Sequence, residues 1–170
     1  MNDLPCPKLS QNPKKSSNFE KGCIHYFDIS GNSDPTISSQ KARPFIIISR
    51  NNPKSNRVIV CPMSDMDHYL EKNSDRSIIK PEKLKYPYHA PVYKDKYNCL
   101  DKDSVVLLDQ VYTISKDELL EEWYIGKVDD TKAIDEAMFY NYDLFASINE
   151  LVQDLMKSIE GKHIEKYSRK

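Results

Sequence analysis

Net charge is nearly absent from this sequence: 25 Lys and Arg stand against 26 Asp and Glu, a formal −1 at pH 7. A diffuse electrostatic grip on nucleic acid is not expected of such a chain, which leaves room only for a local basic patch at the mouth of a groove. Cysteine is sparse too. Cys6, Cys23, Cys61 and Cys99 lie far apart, with no C-x-x-C pair and no cluster of Cys and His, so no structural zinc site is expected. Cys61 sits inside an apolar run and reads as a buried thiol. No run is long and apolar enough to span a bilayer, and no signal-peptide pattern is visible. The expectation is a soluble, cytoplasmic protein with reduced cysteines. There is no internal repeat, and 170 residues suit one domain with a modest extension.

The most informative stretch that is present runs from Gln40 to Asp65. Two apolar, β-branched runs, Phe45 to Ser49 and Val58 to Met63, flank the turn-rich Asn51-Asn52-Pro53-Lys54-Ser55-Asn56. This pattern predicts an antiparallel hairpin. If Arg50 and Arg57 face each other across the turn, Phe45 lies opposite Pro62 and Arg43 opposite Ser64. A slip of one residue would turn every side chain to the other face. In this register a guanidinium and a hydroxyl meet at one end of an apolar sheet, an arrangement suited to an anion such as phosphate.

Residues 1–21 are rich in Pro, Ser, Asn and Lys with almost no apolar content, and read as a mobile arm. Cys23-Ile24-His25-Tyr26-Phe27-Asp28-Ile29 predicts a first strand, followed by a long polar loop to Lys41. Residues 65–87 carry both charge signs and no sustained periodicity, and read as an insertion or long loop. His89 to Tyr93 and Ser104 to Val111 are further strands, the second apolar enough for burial on both faces. Ser115 and Glu118 form a capping-box signature for a short helix ending near Glu121 or Glu122. A strand is expected from Trp123 to Val128. Apolar residues spaced from Ile134 to Leu155 predict one long amphipathic helix from Thr131 to about Ile159, with a break near Ser147 the one to watch for and its far half available to a partner chain. Residues 161–170 read as a frayed tail. The expected fold is mainly β with helices (α+β): a small, curved, SH3-like antiparallel barrel with a long C-terminal helix, spanning residues 22–160.

Four blocks in order, Gly22 to Asp28, Gln40 to Ser49, Val58 to Ser64 and Asp103 to Ile114, resemble the successive blocks of the MazF/PemK toxins of bacterial toxin–antitoxin modules. The likeness covers about Gly22 to Leu144, apart from Met66 to Pro87. It implies a CcdB-like barrel and a homodimeric endoribonuclease that cuts single-stranded RNA without metal or cofactor and is held inactive by a cognate antitoxin protein. The family's catalytic arginine and its catalytic threonine or serine match Arg43 and Ser64. His89 matches a histidine common in the family. The residues expected to contact RNA are Gln40, Lys41, Tyr88, His89, Gln110 and Tyr112. Departures bear on RNA preference: Ser38 to Ala42 lacks the acid and glycines usual before Arg43, and Tyr112 stands where many relatives carry a basic residue.

In the chemistry so implied, Arg43 stabilises charge on the phosphoryl oxygens and Ser64 orients a phosphoryl oxygen or the 2′-hydroxyl. His89 and His25 are the candidates for general base, although His25, within strand alternation, reads as structural. Bland readings stand beside these. Arg43 could be a surface arginine at a strand end, Ser64 a turn hydroxyl, His89 a loop histidine near solvent, and Asp109-Gln110 a pair closing a strand. The rival functions are an RNA-binding module that never cuts and a gyrase poison. The second is disfavoured because the one tryptophan, Trp123, is remote from the C-terminus.

Overall fold

Consecutive residues along the second strand and just past its end, Phe45 to Ile48, are all buried, alternating between two cores on opposite faces of the sheet, and those two faces organise the domain. The computed structural model of the chain describes residues 13–27 and 43–168, with side chains through residue 159. Gln40, Lys41 and the rest of residues 28–42, where a loop was expected, lie outside the described residues. The strands are β1 (Cys23–Phe27), β2 (Arg43–Ile47), β3 (Arg57–Asp65), β4 (His89–Val92), β5 (Ser104–Leu107), β6 (Tyr112–Ser115) and β7 (Tyr124–Lys127). They form a curled antiparallel sheet in the order β4-β5-β3-β2-β1-β7. β3 joins the two halves: Val60, Cys61 and Pro62 pair with β2, Arg57 to Val60 with β6, and Met63 to Asp65 with β5.

One face carries Ile24, Ile46, Ile48, Cys61, Met63, Val106 and Leu108, packed beneath Ile134 and Ala137 of helix α1 (Lys132–Asn141). The other carries Cys23, Phe45, Ile47, Val58, Val60 and Ile114, covered by Leu119 and Phe19. A fully buried side chain of this size contributes about 1.5–3 kcal/mol, so both faces stabilise the sheet.

The hairpin register is the one in which Phe45 faces Pro62, Ile46 faces Cys61 and Ile47 faces Val60. Other expectations need correction. The described part of the arm, residues 13–21, docks on the sheet. The Ser16 amide donates to the Leu119 carbonyl at 2.8 Å, the Glu121 amide donates to the Lys14 carbonyl at 2.8 Å, and Phe19 packs into the second core. These are backbone pairings, to which composition is blind. Residues 65–87 are also structured: a 3-10 turn at Met66–His68 leads into a paired excursion with bridges Leu70↔Leu84 and Lys72↔Ile78. The strand expected from Ser104 to Val111 ends at Leu107, where a turn closed by the Gln110 amide on the Leu107 carbonyl leads into β6 at Tyr112. The helix expected after Ser115 is instead a pair of 3-10 turns, Lys116–Glu118 and Glu121–Trp123, and Ser115 caps the first through the Asp117 amide.

The C-terminal helix is broken earlier than expected. α1 ends at Asn141 and α2 (Leu144–Ser168) begins three residues later. Asp143 between them adopts φ 52, a left-handed conformation that Asp tolerates better than most residues. The backbone stays helical through Ser168, where a frayed tail was expected. Along α2, Phe145, Leu151, Val152, Leu155, Met156 and Ile159 are 49% to 69% exposed.

Candidate functional site

Strand register assembles the candidate site on the face that bears Phe45. Arg43 pairs across β1 with Phe27, Ser64 pairs with Val105, and Val105 with Pro91. Phe45 opposes Pro62 directly. Arg43 and Ser64 are each two residues farther along their strands, toward the same end, and alternation returns both to that face. Arg43 is exposed and Ser64 half-buried. Beneath them lies an aromatic floor: the Phe45 ring meets Phe27 edge-on at 5.9 Å and Tyr112 edge-on at 6.0 Å.

His89 differs from expectation. It opens β4 opposite Leu107 and is buried, so it is neither a loop residue nor available for direct contact with RNA in this conformation. Its Nε2 lies 3.1 Å from Asp109 Oδ1. Its ring meets Tyr69, Tyr86 and Tyr88 edge-on at 5.0, 5.3 and 4.8 Å. Its Nδ1 is buried with no hydrogen-bond partner. With Nε2–H donating to the carboxylate, Nδ1 is left as an acceptor. Burial, with the Asp109 and Tyr86 charges behind it, raises the Tyr88 phenol above its ordinary value. The pair that matters is therefore His89–Asp109, rather than Asp109–Gln110 closing a strand.

Gln110 is exposed in the turn between β5 and β6, and Tyr112 is half-buried opposite Val60. His25 is structural: buried against Tyr124, it donates from Nε2 to the Asn18 carbonyl at 2.8 Å, and burial pushes its pKa down. Cys61 is fully buried, which pushes its thiol up to about 12. Among the described residues no three His, Cys, Asp or Glu side chains gather as a metal site would need.

Tyr69 and Asp109 belong to the His89 cluster and were not among the expected site residues. Tyr69 is separated from His89 by the whole paired excursion, and no local pattern links them. Asp109 had a signal in its place beside Gln110, but the partner it selects is set by the β4–β5 register.

Residues 20–137 match the family model described as PemK-like, MazF-like toxin of type II toxin–antitoxin system. Endoribonuclease MazF of Staphylococcus saprophyticus is 32% identical over 108 residues, covering 61% of this chain and 74% of that relative. Among solved structures, the Mycobacterium tuberculosis toxin MazF-mt6 is 22% identical, with 71% of this chain and 96% of that chain covered and a TM-score of 0.47. An endoribonuclease in complex with its cognate antitoxin, from Mycobacterial species, is 19% identical, with 74% and 95% covered and a TM-score of 0.48. The family match spans well over half the chain, from the turn before β1 into α1, and the chain therefore belongs to the PemK-like, MazF-like toxins of type II toxin–antitoxin systems.

Proposed function

We infer that this toxin is an endoribonuclease that cuts single-stranded RNA in the cytoplasm without a metal. The observation that carries the reading is the Phe45–Pro62 register, which supports Arg43 and Ser64 as a pair on one face of a family member. In the proposed reaction a 2′-oxygen gives its proton to solvent and attacks the adjacent phosphorus. The bond to the 5′-oxygen breaks, that oxygen takes up a proton from solvent, and the products carry a 2′,3′-cyclic phosphate and a 5′-hydroxyl. Negative charge grows on the phosphoryl oxygens meanwhile. Arg43 stabilises it with two parallel charge-assisted hydrogen bonds. An arginine stays charged at ordinary pH, so its role is electrostatic rather than proton transfer. Ser64 orients a phosphoryl oxygen or the attacking hydroxyl. Gln110 and Tyr112, together with Gln40 and Lys41, are proposed to hold the RNA strand.

The partners proposed are a cognate antitoxin whose acidic, disordered tail folds on binding and competes with RNA, and a second copy of the chain. Incubation with mixed-sequence RNA, with and without excess chelator, followed by mapping of the ends tests the reading. Discrete cuts with 5′-hydroxyl ends, unaffected by chelator, are expected. Retention of RNA without cuts would make the chain a binding module, and loss of cutting on chelation would make it a metal nuclease.

A further inference from the structure

Two of the three tyrosines around His89 come from the excursion between β3 and β4, which lies inside the family match at residues 20–137 but outside the four blocks that carry the sequence resemblance. That excursion is tied back on itself: the Lys85 amide donates to the Tyr69 carbonyl at 2.8 Å, the Glu71 amide donates to the Lys83 carbonyl at 2.8 Å, and the Lys85 ammonium donates to the His68 carbonyl. Tyr69 and Tyr86 are thereby held beside each other at its base. Tyr86 stacks on Tyr88, centroids 5.3 Å apart and planes within 16°, while 43% of Tyr86 stays in solvent. Below the stack, His89 is anchored to Asp109 by Nε2, and its Nδ1 is buried without a partner. A flat ring backed by a second ring, fixed from beneath and open to water, is a platform for a nucleobase.

We propose that Tyr86 and Tyr88, propped by Tyr69 and the His89–Asp109 pair, form a stacking subsite for one unpaired base of the RNA substrate, so that the β3–β4 excursion helps choose where the chain cuts. This rests on the endoribonuclease reading above. Placement supports it. Ser64, Val105 and Pro91 lie in one cross-strand row, and His89 is two residues from Pro91 on the same face. Strand spacing and rise then put His89 about 12 Å from Ser64. At a stacked rise of about 3.4 Å per nucleotide, the base would lie within about four nucleotides of the scissile phosphate.

The test uses the full chain with Tyr86→Ala, Tyr86→Leu and Tyr86→Phe. Each is titrated with a fluorescein-labelled, mixed-sequence single-stranded RNA, and the cut ends are sequenced. Tyr86→Ala is expected to weaken RNA affinity about tenfold, the scale of one lost base stack, and to flatten base preference at a single position near the cut. Tyr86→Leu, which keeps apolar cover but no flat ring, should do the same, while Tyr86→Phe should match the wild type. Unchanged affinity and an unchanged cut map in the Ala and Leu variants would overturn the subsite. If the wild type binds RNA but cuts nothing, the endoribonuclease reading fails, and a loss of affinity confined to the Ala and Leu variants still upholds the platform.

Discussion

Phe45 of β2 lies directly opposite Pro62 of β3, and from that one pairing the rest of the candidate site follows by strand alternation. Phe45 is fully buried and braced by two rings, so the register is locked by the core itself. A slip of β2 by one residue would drive Phe45 into the core beneath α1 and carry Ile46 to the face that Phe45 leaves.

The start of β1 depends on Gly22. Its φ is +88, and a Cβ there would stand 2.1 Å from the backbone oxygen of Val128. Gly22 also donates its amide to Ile47 and accepts from Val128, so the backbone has no room to shift. Gly22→Ala is expected to cost about 2 kcal/mol or more, read as a lower denaturant midpoint. An unchanged midpoint would mean the two strands separate here more easily than their hydrogen bonds imply.

His25 links stability to pH. Burial favours its neutral form and sets its folded pKa below the ordinary 6.5, so as pH falls the unfolded chain takes up the proton first. The contribution to stability is full above about pH 6.5 and is lost as pH falls from there toward the folded-state pKa. Denaturant midpoints between pH 7.5 and 5 should therefore fall more steeply in the wild type than in His25→Gln. Because His25 holds the Asn18 carbonyl, the protection of the Ser16 and Glu121 amides against exchange, taken relative to the intrinsic rate at each pH, should fall over the same interval. Parallel pH profiles for the two proteins would remove His25 as the cause.

Asp109 holds His89 beneath the tyrosines. Asp109→Ala leaves both ring nitrogens of a buried histidine without a protein partner, and should lower stability by about 1 kcal/mol, the ordinary scale for a lost hydrogen bond at a partly exposed site. The sharper readout is the aromatic proton spectrum, where Tyr69, Tyr86 and Tyr88 should shift together. Shifts confined to residues next to position 109 would show that the tyrosine cluster holds without this anchor.

The apolar stripe of α2 is expected to bury itself against a second copy of the chain. Phe145, Ile148, Val152, Leu155 and Ile159 recur at alternating spacings of three and four, a pattern that lines one side of a helix. Four of the five are exposed. Most of a helix's stability in a protein comes from packing its amphipathic face. Leu155→Asp should shift the sedimentation mass toward the monomer at micromolar concentration. A wild type that sediments as a monomer would contradict the expectation outright.

Where the determinants are local, the sequence was a good guide. β-Branched runs around an Asn-rich turn predicted the hairpin and its register. Ser115 was correctly read as a helix cap, although Leu119 turns inward to the core and only a 3-10 turn follows. What stayed hidden depends on partners distant in sequence. Residues 13–21 have little to bury except Phe19, and dock through backbone hydrogen bonds that any residue type could make. The break at Asp143 needs one residue in a left-handed conformation, which periodicity does not register. His89 looked like a surface residue because Tyr69, Tyr86 and Asp109, which cover and hold it, come from three separate segments.

The central claim is that Arg43 and Ser64 act together on the scissile phosphate, and a double-variant cycle on single-turnover RNA cleavage tests it most directly. Arg43→Ala is expected to slow the chemical step about a hundredfold or more, the scale of a lost charge-stabilising donor, with little change in RNA affinity. Ser64→Ala should cost less, and the double variant should be slowed by less than the product of the two single effects, because residues acting on one phosphate are not additive. A double variant that cuts at the wild-type rate, or an Arg43→Ala defect confined to RNA affinity, would contradict it.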